Sequence, residues 1–538
     1  MSQRRKKILS AGLAGVLCST TLLLGITAAH ADGKNNLHLP GMKDRPHAQE
    51  NSFTRMFPEL PPFAPPTDAA RDQAKKLGEK GGLIDALDIL SDPIKSITEP
   101  LLFSPNNPDN PNMTAGMTFF GQFLDHDVTL DPRSPLLERS NPKKTTNFRT
   151  AAFDLDSLYG DGPEASPLLY DVSSGDIKLR VEPIPGSEQV SRKGAIRFDL
   201  PRDPSNNAAI LGDSRNDEHV ILAQFHMAML RFHNAVIDHL RKDPALADQS
   251  ADRIFKLAQR QVRWHYQWII LHEFLPLTIG QERVDDILRK GLRFYEVDKR
   301  NPSIPIEFSV SAYRFGHSQI RPSYRLNFGP SVTPAAPFFA FLFDDAQDPN
   351  DPDPIDLRGG KRAPRRFVDW QTFFNFGDGN FRPNKKIDGK LSSVVMLLPG
   401  SRGPAPGLPA DGVQSLASRN LMRHVNVGIP SGQAIARRMG VPALTPVQLD
   451  ALTPFGMEKS TPLWFYILKE AELMEDGLRL GPVGGRIVGE VFIGLLKADD
   501  SSYLAARPNW IPVLPSATPG DFRITDMLTF AGVVPPLN

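Results

Sequence analysis

Apolar residues recur at helical spacing along seven stretches of the chain: 114–129, 218–239, 251–274, 304–317, 415–424, 462–474 and 484–496. Strand patterns are few. IKLRVEPI at 177–184 and IRFDL at 196–200 are the two, and they predict one small sheet. Residues 32–68 are polar and proline-dotted, with FPELPPFAPP at 57–66, which predicts an extended arm lying on a surface. No repeat and no clean linker interrupts the body from residue 69 to 538. The pattern predicts a mainly α fold: one large helical domain with very little β.

The first thirty-one residues have a different character. Arg4, Arg5, Lys6 and Lys7 form a basic head, and Ile8 to Ala28 is an uncharged, largely apolar run. Ala29-His30-Ala31 then gives the small-x-small pattern of a cleavage site, so residues 1–31 read as a secretory signal peptide and the protein as secreted. The alternative is an uncleaved anchor, against which stand the Gly, Ser and Thr within the run. No later stretch holds 18 unbroken apolar residues, so no membrane span is expected.

Removing that segment changes the arithmetic. The whole chain has 62 basic and 61 acidic side chains; residues 32–538 have 58 and 61, a formal charge of −3. That balance excludes an electrostatic nucleic-acid binder. The only cysteine, Cys18, leaves with the leader. An exported chain without disulfides must rely on its core and on metal or cofactor bonds. Proline is 50 of 538 residues, about 9% against a usual ~5%, which predicts irregular, proline-pinned connections.

Five clusters carry candidate chemistry. In FFGQFLDHDVTLDP (119–132), a helix places Gln122 and His126 on one face with Asp125 near it, whereas Asp127 is rotated about 100° from His126. Alone, the His-Asp pair also fits a helix cap or a metal phosphohydrolase. In TAAFDLDSLYG (150–160), an extended loop would turn Thr150, the Ala152 carbonyl, Asp154 and Asp156 toward one hard cation such as Ca²⁺. The spacing is not that of an EF-hand, and an Asp-rich turn is the plainer alternative. In GDSRNDEH (212–219), Arg215 and Glu218 can enter one cleft. Gly212-Asp213-Ser214 is also a short match to a hydrolase nucleophile motif. His226 and His233 further along read as packed core histidines. Finally, Arg314 and His317 share a face, as do Asn420 and Arg423. The loop 344–356 holds six Asp and reads as solvated surface, with a second calcium site as the sharper alternative.

Together and in this order, these segments resemble the animal haem peroxidase family of the peroxidase–cyclooxygenase superfamily, from about residue 100 to the C-terminus. The resemblance implies a helical domain around haem b. His126 would be the distal histidine, Gln122 its neighbour ordering water or halide, and Arg215 the catalytic arginine. His317 would bind the haem iron and Asn420 would accept a hydrogen bond from its other ring nitrogen. Arg314 and Arg423 would pair with the haem propionates. Asp125 and Glu218 would attach the haem covalently as esters. Asp127, Thr150, Ala152, Asp154 and Asp156 would hold Ca²⁺. The expected substrates are hydrogen peroxide with a halide, thiocyanate or phenolic donor.

The chain departs from the family at three informative places. His219 stands where some members carry a Met that forms a sulfonium link to haem, so that link is excluded. Asp156 stands where Ser is usual. Arg314 stands where cyclooxygenases carry their radical-forming Tyr, and Tyr313 is next to it. The third favours a peroxidase over a fatty-acid dioxygenase on the same fold. The intact His126, Arg215 and His317 speak against a secreted adhesion or matrix protein with a vestigial haem site.

Overall fold

The structure is a computed structural model. It describes residues 52–534 apart from 133, 176, 330–337, 345–346, 349 and 400–411. The expected signal peptide and the first part of the arm lie outside the described residues.

Nine α-helices of eight or more residues stand among the described residues: α1 (Asp68–Leu77), α2 (Gly116–Val128), α3 (Val220–Arg241), α4 (Ala251–Ile269), α5 (Gln281–Lys290), α6 (Leu416–Val427), α7 (Gly432–Met439), α8 (Leu463–Met474) and α9 (Pro482–Ala498). Strands are short and paired antiparallel: β1 (Asp109–Thr114) with β6 (Pro383–Lys385), β2 (Glu182–Pro183) with β3 (Phe198–Asp199), and β4 (Ser323–Arg325) with β5 (Phe339–Phe341). The expected small sheet is therefore present, cut to two residues a strand. The other two sheets carry no alternation long enough to read.

The centre of the fold is α2. Its Phe119, Phe120, Phe123 and Leu124 are buried on nearly every side, so α2 is a core helix. Phe120 and Phe123 meet Phe225 of α3 at 5.7 and 5.2 Å between ring centroids, and both reach Tyr266 of α4. The close approach at its start needs Gly116, where a Cβ would sit 2.4 Å from the Phe374 ring. The helix ends at Thr129, whose backbone turns extended while its hydroxyl donates back to the Asp125 carbonyl at 3.1 Å. By length and apolarity α3 could cross a bilayer, but 83% of its apolar window is packed inside the protein.

Two expected helices are interrupted. The stretch 251–274 is α4 followed by a π-helical turn over Ile270–Phe274. The stretch 304–317 is not one helix: Ile306–Ser309 is a single α turn, Ser311 breaks the ladder, and Ala312–Gln319 is 3-10. In a 3-10 helix, residues three apart eclipse, so Arg314 and His317 share a face and Tyr313 does not.

The described part of the arm crosses the body in extended form. The Thr54 amide donates to the Ile304 carbonyl at 3.0 Å, and the Phe63 amide to the Ile429 carbonyl at 2.8 Å. The amides of Met56 and Phe57 donate to the buried Glu307 carboxylate. Thus the arm pins the segment before His317 and the turn after α6.

Phe225→Ala should remove the ring that joins α2, α3 and Trp370, leaving a cavity. The expected loss is about 3–5 kcal/mol, read as a lower midpoint of urea unfolding.

Candidate active site and acidic cluster

Two imidazoles from distant segments are each met at Nδ1 by an asparagine side chain, one by its oxygen and one by its nitrogen. His126, on α2, has its Nδ1 2.8 Å from Oδ1 of Asn216. His317, on the 3-10 helix, has its Nδ1 2.8 Å from Nδ2 of Asn420 on α6. Among the described residues no hydrogen bond reaches Nε2 of either ring. Burial, with help from the neighbouring arginines Arg215 and Arg314, holds both histidines down to about 3, so each is neutral at ordinary pH. An imidazole with its ordinary pKa near 6.5 would be half-protonated in mild acid; His126 is not.

Beside them, Asp125, Arg215, Glu218 and Arg314 keep a small exposed fraction although their neighbours Phe123, Leu124, Phe315 and Ser318 are buried, which marks a narrow cleft. Asp125 is raised by burial, against the pull of Arg215 and Arg314. Glu218 is pushed up to about 7 by burial, against Arg215 and with Asp213 and Asp125 adding to the rise. Arg314 is brought down to about 10 by burial, and Asp125, Arg423 and Arg215 all act on it. Asp125, Glu218, Arg215 and Arg314 thus act on one another electrostatically.

Arg215 is held from behind. Its Nε and Nη2 donate to Asp213 at 3.1 and 2.7 Å, and Nη2 also reaches the carbonyls of Thr129 and His126. Its Nη1 makes no hydrogen bond among the described residues. Gln122 lies between two partners: its Oε1 is 2.9 Å from Nε2 of His219, and its Nε2 donates to Glu218 at 3.4 Å. Because the His219 Nδ1 accepts the Leu222 amide, Nε2 is the donor to Gln122. The residue that replaces the sulfonium-forming Met thus orients the Gln122 amide.

The Asn420 oxygen accepts from Arg314 Nη1 at 3.2 Å, and the amide nitrogen faces His317 Nδ1. The cause is the Arg314 guanidinium, which takes the nearest acceptor. Arg423 lies 3.6 Å from Asp131. Tyr313 donates to the Gly121 carbonyl at 3.0 Å and stacks on Phe308.

Behind α2 the rotated Asp127 meets the loop after Arg149. Oxygens of Asp127, Asp154 and Asp156 lie within 4.8 Å of one another. Thr150 joins them, its hydroxyl 2.9 Å from Asp154 and 3.5 Å from Asp156. Leu155 between the two carboxylates is left-handed (φ 59°), a strained conformation for a branched residue that turns both toward Asp127. Asp127 is fully buried and its Oδ1 has no partner, while Tyr266 donates to Oδ2 at 3.1 Å. Burial, then Asp154 and Asp156, push Asp127 well above the usual carboxylate range. Burial and Asp156 push Asp154 to about 6. Arg149 offsets part of this charge through Asp156 at 3.1 Å. The Ala152 carbonyl accepts no hydrogen bond among the described residues. In the loop 344–356, by contrast, Asp353 and Asp356 are engaged by Arg365 and Arg358.

Sequence patterns missed Asp213, Arg149, Asn216 and His226. The short hydrolase match at Gly212-Asp213-Ser214 is overturned: Ser214 is exposed, and Asp213 is buried in ion pairs with Arg149 and Arg215, both at 2.7 Å. Although burial opposes it, the two arginines hold Asp213 far below the carboxylate range. Its position two residues before Arg215, as the cap of a 3-10 turn, was the available signal.

The animal haem peroxidase family model matches residues 133–339. Over that span the chain is similar to the animal haem peroxidase family. The matched span holds Thr150 to Asp156, Arg215, Glu218, Arg314 and His317; α2 with His126, and α6 with Asn420 and Arg423, lie outside it. A peroxidase-like protein of Margaritifera margaritifera is 27% identical over 269 residues, 40% of this chain and 32% of that one. Human thyroid peroxidase is 29% identical over 203 residues, 35% of this chain and 21% of its own length. The chain therefore spans a fifth to a third of these relatives. A solved structure of the fatty acid alpha-dioxygenase of Oryza sativa superposes with a TM-score of 0.51 at 16% identity, covering 78% of this chain and 74% of that one, which shows a shared fold.

If a cation fills the acidic cluster, it must displace protons from Asp127 and Asp154. The raised folded pKa of Asp154 means that, without metal, this group costs stability as pH rises from about 4 through about 6. A bound cation reverses that cost. Millimolar Ca²⁺ is expected to raise the Tm measurably near pH 7.5, with up to about 4 kcal/mol available at a thousandfold excess over Kd. The increase should shrink near pH 5, where protons compete. Equal shifts at both values would contradict a cation held by Asp127 and Asp154.

Proposed function

We propose that this chain is a secreted haem-dependent peroxidase that uses hydrogen peroxide to oxidise a halide, thiocyanate or small phenolic donor. The reading rests above all on one observation: two neutral imidazoles, each held at Nδ1 by an asparagine, leave both Nε2 atoms without a partner. Two acids and three arginines act electrostatically on one another beside them. The proposed organisation is a signal peptide (1–31), an extended arm (32–68) and the peroxidase domain (69–538).

The donor set fits haem b. His317 would bind the iron through Nε2, which loses its proton to Nδ1 once the Asn420 amide turns its oxygen toward Nδ1. Arg314 and Arg423 would face the propionates. A propionate drawing Arg314 away would free the Asn420 oxygen to accept from His317 Nδ1, and that hydrogen bond raises ligand basicity. Asp125 and Glu218 resist ionisation because they are buried, and an ester keeps each neutral. Asp127, Thr150, Ala152, Asp154 and Asp156 would hold Ca²⁺, the oxygen-rich choice for such a set.

When bound, haem supplies an iron that accepts two oxidising equivalents from peroxide and passes them to the donor. The chain's own residues manage the protons and charge. His126 Nε2, unprotonated down to about pH 3, would take a proton from one oxygen of hydrogen peroxide and return it to the other. Arg215, fixed by Asp213, stabilises the charge that builds as the O–O bond breaks. Gln122, oriented by His219, holds water or halide beside His126. Without a sulfonium link, bromide, iodide or thiocyanate should be preferred to chloride.

A fatty-acid dioxygenase shares the fold, but Arg314 stands three residues before His317, where cyclooxygenases carry their Tyr, and Tyr313 is committed to the Gly121 carbonyl. Oxygen uptake with a fatty acid and no peroxide would favour that rival. In stopped-flow mixing with peroxide, His126→Ala should react at least about a hundredfold more slowly than the wild type. Acid–acetone extraction should leave haem on the protein; free, unmodified haem b in the extract would rule out the esters.

A further inference from the structure

Asn216 belongs to the 3-10 turn Ser214–Asp217 that also carries Arg215. Its side chain lies between two buried imidazoles: Oδ1 is 2.8 Å from His126 Nδ1, and Nδ2 is 3.0 Å from His226 Nδ1. His126, Asn216 and His226 are 5%, 0% and 1% exposed. His226, on α3, makes no other side-chain hydrogen bond among the described residues. The Asn216 amide nitrogen faces its Nδ1 and donates to it. With the nitrogen so engaged, the amide presents its oxygen to His126.

A carbonyl oxygen accepts and cannot donate. His126 must therefore carry its proton on Nδ1, and Nε2 keeps its lone pair. The opposite tautomer would place a proton on Nε2 and remove the base. We infer that Asn216, backed by His226, is a positioning residue that holds the distal imidazole in the tautomer able to accept a proton at Nε2. The inference rests on the peroxidase reading above. It also explains why a histidine that looks like ordinary packing on α3 sits where it does. The turn that aims Arg215 sets the state of His126 as well, so one 3-10 turn prepares both groups that meet peroxide.

Cyanide and carbon monoxide separate this role from mere support of the fold. Cyanide arrives as HCN, and its proton must pass to a base as carbon binds the ferric iron. Carbon monoxide binds the ferrous iron with no proton to remove. Both association rates are read from the Soret band of the haem-loaded protein. Asn216→Leu should slow cyanide at least about tenfold, a part of the usual general-base factor, and leave carbon monoxide within about twofold. Asn216→Asp keeps an acceptor for His126 and should stay within about threefold for both ligands. His226→Leu should slow cyanide selectively, whereas His226→Gln, which still offers an acceptor, should not. Parallel changes in both ligands, or an unchanged cyanide rate in Asn216→Leu, would overturn the inference. If Asn216→Leu fails to take up haem, the His226→Leu and His226→Gln pair decides by the same criterion. A wild type with no Soret band after incubation with haemin would defeat the peroxidase reading itself.

Discussion

The site depends on one buried anion. Asp213 is 1% exposed and lies between Arg149 and Arg215. A carboxylate so deep is tolerated only because both arginines face it, and removing either would leave a charge stranded at a cost of about 3–5 kcal/mol. Each arginine carries that constraint outward. Arg149 extends to Asp156 in the acidic cluster. Arg215 extends to the carbonyls at the end of α2 and to the cleft. The metal-binding candidate and the catalytic candidate are thus two sides of one ion-pair network.

The same network explains the geometry of α2. Its Phe-rich surface fixes it in the core, so its polar residues have only two directions left. His126 and Gln122 face the cleft, and Asp127 faces the loop from Thr150 to Asp156. Neutral histidines and acids resisting ionisation lie on the cleft side, with arginines supplying the positive charge. Such a cleft suits an anionic, planar cofactor that brings its own carboxylates, and it would bind a cation poorly. The acidic cluster has the reverse balance: three carboxylates, one unpartnered buried oxygen, and arginines only at its edge, Arg149 at Asp156 and Arg263 at Asp154.

Much of this was legible in the sequence because helical spacing is local. Gln122 and His126 at four apart, Asp127 turned away, and Arg314 with His317 at three apart all follow from short-range geometry. The last pair survives even though the expected α-helix is 3-10, since both helix types bring residues three apart together. What the sequence hid is non-local. β1 pairs with β6, some 270 positions on, through residues with no strand pattern. His226 looks like packing until α3 is laid beside the turn carrying Asn216. The Gly-Asp-Ser triplet suggested a nucleophile because burial and two distant arginines are invisible in three letters. The Asn420 amide could be placed against His317 from spacing, but not turned, because its orientation depends on Arg314.

The central claim is that His317 and His126 face each other across a haem site. Visible absorption of the protein incubated with haemin tests it most directly. The account predicts a Soret band that shifts on adding hydrogen peroxide, and loss of the bound-haem spectrum in His317→Ala that exogenous imidazole restores. A wild type with no Soret band, or a His317→Ala spectrum identical to wild type, would contradict it.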